Sequence, residues 1–359
     1  GGESGENTVK VENKTIENKF FTVKFDKDMN IASLIHKATG RAVAPEGEVL
    51  NKIYAYDDRP FNHEAWDIKV YFDQKYTEIN DVSAVDVTES GPVRTVIKVT
   101  RKFLSSTIDQ SFIFYADLPR IDVDYTVDWK EKKILLKADF PVDVNATEAT
   151  YDIQFGNYKR PTHRNTSWDR ARFEASMHRW VDISEPDFGG ALLNDCKYGY
   201  DAYEQLIRLT LVRGSTQPNA NSDIGQHRIK YALLVHAGTS DLASVPVAAE
   251  RFNNPVAVAG TPAISAPGST VTAFSFASVD AGNVTLETVK KAEKSDAVIL
   301  RLYEHANARA NATITFGVPV KSAKLVNLME EGAEPVEVRN NTVTLNLRPF
   351  EIATLMLEI

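Results

Sequence analysis

Ile121-Asp-Val-Asp-Tyr-Thr-Val-Asp-Trp129 sets an apolar or aromatic side chain at every second position and a polar one between. Side chains of a strand alternate between its two faces, so this stretch reads as a strand with one face in a core and an acidic face in solvent. Upstream, Val93–Phe103 and Ile108–Tyr115 follow the same rhythm across the short connection Leu104–Thr107, with turns at Ser90-Gly91-Pro92 and Leu118-Pro119-Arg120. Phe21, Val23 and Phe25 alternate too, and Met29-Asn30 turns them into Ile31–Ile35 as a hairpin. Further strands are expected over Leu135–Val142, Ala149–Phe155, Arg172–Ile183, Gly189–Asn194, Leu206–Val212 and Val271–Ala277. Helical patterning is scarce: Leu242–Phe252, stopped by Asn253-Asn254-Pro255, and a short helix over Leu286–Lys294.

Many strands at short spacing indicate an all-β protein. The expected organisation is a flexible tail over residues 1–15, a large antiparallel sandwich over 16–280 and a smaller β-sandwich over 281–359. Short strands at Ala297–Tyr303, Thr313–Phe316, Ala323–Leu328, Val343–Leu347 and Ile352–Leu357 build the second.

The 359 residues are 43% hydrophobic and 25% charged, in the range of a globular protein with ample core. The net charge of -8 argues against nucleic acid and against anionic membrane surfaces, both of which need clustered basic residues. No apolar run approaches the roughly 18 residues that span a bilayer. Gly1–Thr15 lacks the apolar region of a signal peptide. A single cysteine, Cys196, excludes an internal disulfide and favours a reducing compartment, hence the cytoplasm. Six Asn-x-Ser/Thr triplets, at Asn13, Asn145, Asn165, Asn283, Asn311 and Asn340, pull the other way.

Three loops carry the residue types that recognise sugars. The densest lies in Gln154-Phe-Gly-Asn-Tyr-Lys-Arg-Pro-Thr-His-Arg-Asn-Thr-Ser-Trp-Asp-Arg-Ala-Arg-Phe-Glu174, which supplies Arg160, His163, Asn165, Trp168 and Asp169. Tyr56–Asp67 adds Asp58, Trp66 and Asp67, and Asn194–Asp201 adds Asp195 and Tyr198. Carboxylates and amides take vicinal hydroxyls two at a time, and aromatic rings offer a flat face to sugar C–H groups. The plainer reading of these loops is structural: Asx turns, Trp66 and Trp168 anchored in the core, and Cys196 a small buried hydrophobe. His36, His63, His163, His178, His227, His236 and His305 stand apart, with no His-x-His or His-x-Asp pair, so spacing points to no metal ligand in this chain.

The run Arg160-Pro-Thr-His-Arg-Asn-Thr-Ser-Trp-Asp169, followed by Asn194-Asp-Cys-Lys-Tyr-Gly199, resembles the C-terminal half of the glycoside hydrolase family 38 α-mannosidases, of the bacterial and cytosolic or vacuolar branch more than the Golgi branch. Ala65-Trp-Asp-Ile68, Val127-Asp-Trp129, Ala297–Glu304 and Pro349–Leu355 extend the likeness over nearly the whole chain. The resemblance implies a super-sandwich similar to that of galactose mutarotase, followed by a small β-sandwich. It also implies a retaining enzyme acting on terminal α-linked mannose, with zinc and a carboxylate pair supplied by an N-terminal barrel absent from this sequence. The partners so implied are that barrel, a mannose-containing oligosaccharide and further copies in a homo-oligomer. With that barrel absent, the resemblance implies that no catalytic residue lies in this chain, and alone the chain is expected to be inactive. Two alternatives stay open: a stand-alone carbohydrate-binding module, or a mutarotase-like sugar epimerase drawing on His163 or His178 and a carboxylate.

Overall fold

The computed structural model describes residues 9–240, 245–257 and 273–359. It divides the chain into two compact units: one runs to Asp152 and resumes over Lys159–Asn253, and the other joins Ile153–Tyr158 to Asn254–Ile359.

The first unit is built on a nine-stranded antiparallel sheet, with Gly156–Pro161 as one edge strand. Its strand order continues Glu148–Ile153, Trp180–Glu185, Phe188–Asn194, Gly225–His236, Arg120–Trp129, Ser106–Tyr115, Arg94–Phe103 and Val82–Ser90. Arg120–Trp129 sits inside this sheet, with Val123 opposite Phe112 on one side and Tyr231 on the other. Its apolar set is buried as the alternation requires. Its acidic set is not wholly in solvent: Asp122 is buried, where Arg120 (2.7 and 3.2 Å) and the Tyr115 hydroxyl (2.9 Å) satisfy it.

A six-stranded sheet packs its inner face against the nine-stranded one, in the order Ala175–Ser176, Gly199–Tyr203, Leu206–Arg213, Ile134–Pro141, Lys52–Asp57, Tyr76–Glu78. The two inner faces meet where Phe140 and Tyr231 pack edge to face at 5.5 Å, and Tyr151 meets Tyr200 at 5.8 Å. A five-stranded sheet running from Lys10–Glu12 to Arg41–Ala42 adds Phe25, whose ring is 5.0 Å from that of Phe112.

In the second unit a five-stranded and a three-stranded sheet enclose Leu300, Leu302, Ala312, Ile314, Val343, Leu355 and Leu357. The all-β class with a large and a small sandwich is therefore the observed fold, and among the described residues no helix is long and apolar enough to cross a membrane.

Several local expectations are corrected. Leu286–Lys294 is not a helix, because Val284–Lys291 is a strand paired with Val298–Glu304, with a bulge between Leu286 and Thr288. Its Leu, Glu and Lys residues favour helix weakly, and a full ladder of cross-strand bonds outweighs that preference. Part of the expected tail is ordered: Lys10–Glu12 pairs with Thr15–Glu17. Arg172–Ile183 is not one strand but Ala175–Ser176 and Trp180–Glu185 in different sheets, preceded by a one-turn helix, Ser167–Ala171.

The helix expected over Leu242–Phe252 is described over Val245–Asn253, and the start of the strand expected over Val271–Ala277 lies outside the described residues. That helix covers Trp180, Ala191, Leu193, Ala232 and Leu234 on the nine-stranded sheet. The cover buries the second half of Gly225–His236 on both faces, which erases the period-two signal and left this long strand unread.

Candidate functional site

The six-stranded sheet turns one face to the core and, on the other, carries ionic side chains. Strand alternation in Leu135-Leu-Lys-Ala-Asp139 sends Leu136 and Ala138 inward and Lys137 and Asp139 outward. Register then sets the charges in rows, with Asp139 opposite Lys52 and Arg208, and Arg208 opposite Asp201. Lys137 is 0% exposed and its ammonium donates to Asp201 (2.8 Å) and Glu174 (2.7 Å). Arg208 Nε donates to the other oxygen of Asp201 at 2.7 Å, and the Thr210 hydroxyl donates to Glu174 at 2.9 Å. Burial works against the charge of Lys137, but Asp201 and Glu174 more than offset it and hold the ammonium above its usual range. Asp201 and Glu174 are each held by two donors within the fold, so Lys137, Arg208 and their carboxylates serve as a rigid platform.

The loop after Tyr56 closes over that platform. Asp58 is buried and takes a two-pronged pair from Arg213 (2.5 and 3.3 Å), whose guanidinium also donates to the Asp67 carbonyl at 2.7 Å. Glu64 accepts from Lys133 (2.8 Å) and from the amide and hydroxyl of Thr216 (2.8 and 2.7 Å), and these donors hold its carboxyl down at about 2. Phe72 then lies over the two cations, 5.1 Å from Lys137 Nζ and 5.2 Å from the Arg208 guanidinium, and its ring stacks on Phe173 at 6.0 Å. The loops around 58–75 and 160–174 are thus joined through Phe72, Phe173 and Glu174.

Between these anchors the aromatic candidates are exposed, while several of the polar ones are bonded within their own loops. Trp66 and Trp168 are 72% and 73% exposed, which overturns the reading of either as a core plug. Phe61 is exposed as well. Asp67 reaches Lys69 at 2.5 Å. Thr166 and Asp169 form a reciprocal capping box at the start of Ser167–Ala171, with His163 Nδ1 3.6 Å from Asp169 and Asn165 exposed beside it. The Arg160 guanidinium donates to the Tyr151 hydroxyl and lies over its ring at 5.4 Å.

The third loop divides. Tyr198 faces His178, ring to ring at 5.4 Å. Asp195 follows directly on the strand Phe188–Asn194 of the nine-stranded sheet, and its backbone amide donates to the Lys230 carbonyl. Cys196 is exposed rather than a buried hydrophobe. Partial desolvation, together with a hydrogen bond to the adjacent Asp195 carboxylate and its charge, pushes the thiol up to about 11. Alkylation by iodoacetamide at pH 8 is therefore expected to run at least tenfold slower than for an unperturbed thiol, followed by mass spectrometry; a rate matching free cysteine would show that Asp195 exerts no such hold.

Sequence reasoning named Asp201 and Glu174 only as the ends of quoted runs, and missed Lys137, Asp139 and Arg208. The available signal was a charge at alternate positions of otherwise apolar strands. Among the described residues no group of three or more His, Cys, Asp or Glu side chains is placed to hold a metal ion, so the donors here do not fit zinc.

Two family profiles match the chain: "Glycosyl hydrolases family 38 C-terminal domain" over residues 16–221 and "Glycosyl hydrolases family 38 C-terminal beta sandwich domain" over residues 283–355. Alpha-mannosidase 2C1 of Homo sapiens is 36% identical over 96% of this chain, alpha-mannosidase G of Dictyostelium discoideum 34% over 94%, and an alpha-mannosidase of Saccharomyces cerevisiae 30% over 86%. The chain spans about a third of the length of these relatives, 33%, 32% and 31% respectively. A solved family 38 protein from Enterococcus faecalis has the same fold, with a TM-score of 0.78 at 16% identity over 99% of this chain and 45% of that one.

Proposed function

This chain belongs to glycoside hydrolase family 38, and from that premise we propose that it is the C-terminal β-region of a retaining, zinc-dependent α-mannosidase that hydrolyses terminal α-linked mannose. Zinc and the carboxylate pair are assigned to a catalytic barrel in the same polypeptide, since the described residues offer no metal donor set. The part of this chain is to support that barrel and to line one side of the mannose pocket.

The observation that carries the reading is the exposure of Phe61, Trp66 and Trp168 on loops whose bases are clamped by Asp58–Arg213, Glu64–Lys133 and the Thr166–Asp169 box. Large exposed aromatics on rigid supports suit a partner surface or a sugar face. His163, Asn165 and Asp169 are offered beside them for hydroxyls. An exposed, unpaired Cys196 fits a reducing compartment, and we place the protein in the cytoplasm.

The test uses the intact enzyme and an aryl α-mannoside. Trp168→Ala and His163→Ala are each expected to lower kcat/KM by about tenfold, or ~1.4 kcal/mol of transition-state stabilisation, with the melting temperature unchanged. Full activity in both variants and in Trp66→Ala would remove these loops from the pocket. The isolated chain is expected to show no turnover.

A further inference from the structure

The loop that presents His163, Asn165 and Trp168 is cationic. Residues 159–172 set five cations, Lys159, Arg160, Arg164, Arg170 and Arg172, against one carboxylate, Asp169, for a formal charge of +4 in a chain whose net charge is -8. That carboxylate is engaged inside the loop by the hydroxyl (2.7 Å) and amide (3.2 Å) of Thr166. Lys159 stands 3.9 Å from Glu148, and Arg170 and Arg172 are exposed. The Arg160 guanidinium lies over the Tyr151 ring at 5.4 Å, and that of Arg164 over the Tyr203 ring at 4.4 Å.

Arg164 is the cation of this set that the fold prepares for a ligand. It is half-buried, no carboxylate among the described residues pairs with it, and its Nη2 is enclosed without an acceptor. The tyrosine ring holds the guanidinium in place but leaves its charge uncompensated, and a partly desolvated cation attracts an anion more strongly than one in water. Nε and Nη1 are not enclosed, so an anion reaches the guanidinium there. The backbone is fixed on both sides: Thr162 is buried and donates to the carbonyls of Ala146 (2.7 Å) and Thr147 (3.0 Å), and Thr166 opens the capping box.

Beside this residue opens a cavity of about 310 Å³, with Thr147, Thr162, His163, Glu204 and Gln205 in its lining. His163 and Glu204 are the chain neighbours of Arg164 and Tyr203, so the stacked pair lies next to the opening that the histidine of the proposed mannose pocket lines. Glu204 is the acid of this lining; it is exposed and water screens it, whereas Arg164 is half-buried. One guanidinium beside one screened carboxylate suits a singly charged carboxylate better than a phosphate dianion. A terminal mannose is itself neutral, so such a charge belongs to the group it is cleaved from.

We propose that the substrate of this site is a mannoside whose leaving group carries a carboxylate, and that Arg164 is the residue that binds this carboxylate. The assignment rests on the mannose pocket proposed above and adds the charge of its substrate.

The test has two arms. In the intact enzyme, Arg164→Gln is expected to lower kcat/KM about tenfold on 4-carboxyphenyl α-mannoside and less than about twofold on phenyl α-mannoside. Arg164→Lys, which keeps the charge, should retain most of the activity on the carboxylated substrate. In the 359-residue chain, titration with sodium acetate to about 100 mM at constant ionic strength should shift the Nε–H resonance of Arg164 saturably and leave those of the exposed Arg170 and Arg172 in place. The second arm needs no turnover, so it still decides whether Arg164 binds a carboxylate if neither mannoside is hydrolysed and the mannosidase reading itself fails. Equal losses on the two mannosides overturn the assignment, and so does an Arg164 resonance that moves no more than that of Arg170.

Discussion

Replacing Lys137 with Met is expected to destabilise the large unit by about 3–5 kcal/mol, read as a shift of its urea midpoint. Lys137 and Asp201 are both wholly buried, and the ammonium bridges Asp201 to Glu174. Met fills nearly the same volume, so the loss reports charge rather than a cavity. Without the ammonium, Asp201 keeps only Arg208, and Glu174, largely buried, keeps only the Thr210 hydroxyl. The companion variant, Lys137→Met with Asp201→Asn, removes both members of the pair and should recover part of the loss. An unchanged midpoint in the single variant would mean that water or a rearranged Arg208 already neutralises Asp201, and the platform would lose its role in positioning the loops.

Asp58→Ala is expected to cost about 2–3 kcal/mol, less than the first because Arg213 keeps some contact with solvent. Its larger effect is local. Arg213 ties the Asp58 carboxylate and the Asp67 carbonyl together, so the pair closes the loop that presents Phe61 and Trp66. Hydrogen exchange in residues 58–67 should accelerate more than tenfold, while the strands Arg120–Trp129 and Gly225–His236 stay protected. If this loop lines the mannose pocket as proposed, the same change in the intact enzyme should raise KM more than it lowers kcat, because it loosens a binding loop and leaves the proposed reacting groups in place. Uniform loss of protection across the sheets would make Asp58 a residue of global stability alone.

The strands with one face buried were legible from sequence because burial on one side and solvent on the other leaves a period of two. Arg120–Trp129 is the clearest case. Gly225–His236 was not legible, since a helix covers the face that would have been polar, and Val284–Lys291 misled because its composition suits a short helix. The three loops were legible as dense in sugar-type groups, but not which of those groups are free. Asp58 and Asp169 share the residue type and the loop setting, yet one is locked under Arg213 and the other caps a helical turn.

What the sequence by itself determined was the all-β class, the smaller sandwich at the C-terminal end and the family, all carried by local alternation and by one ungapped motif. Tertiary structure decided the rest. Lys137, Glu174, Asp201 and Arg208 are brought together from well-separated parts of the chain, and they meet only because antiparallel register sets Lys137 beside Thr210 and Arg208 beside Asp201. Such a cluster has no sequence spacing, because cross-strand distance is set by the hydrogen-bonded ladder, while separation along the chain is set by the loops between. The same holds for Asp139, set between Lys52 and Arg208 by two ladders: its neighbours are a property of the sheet, and no stretch of sequence contains them.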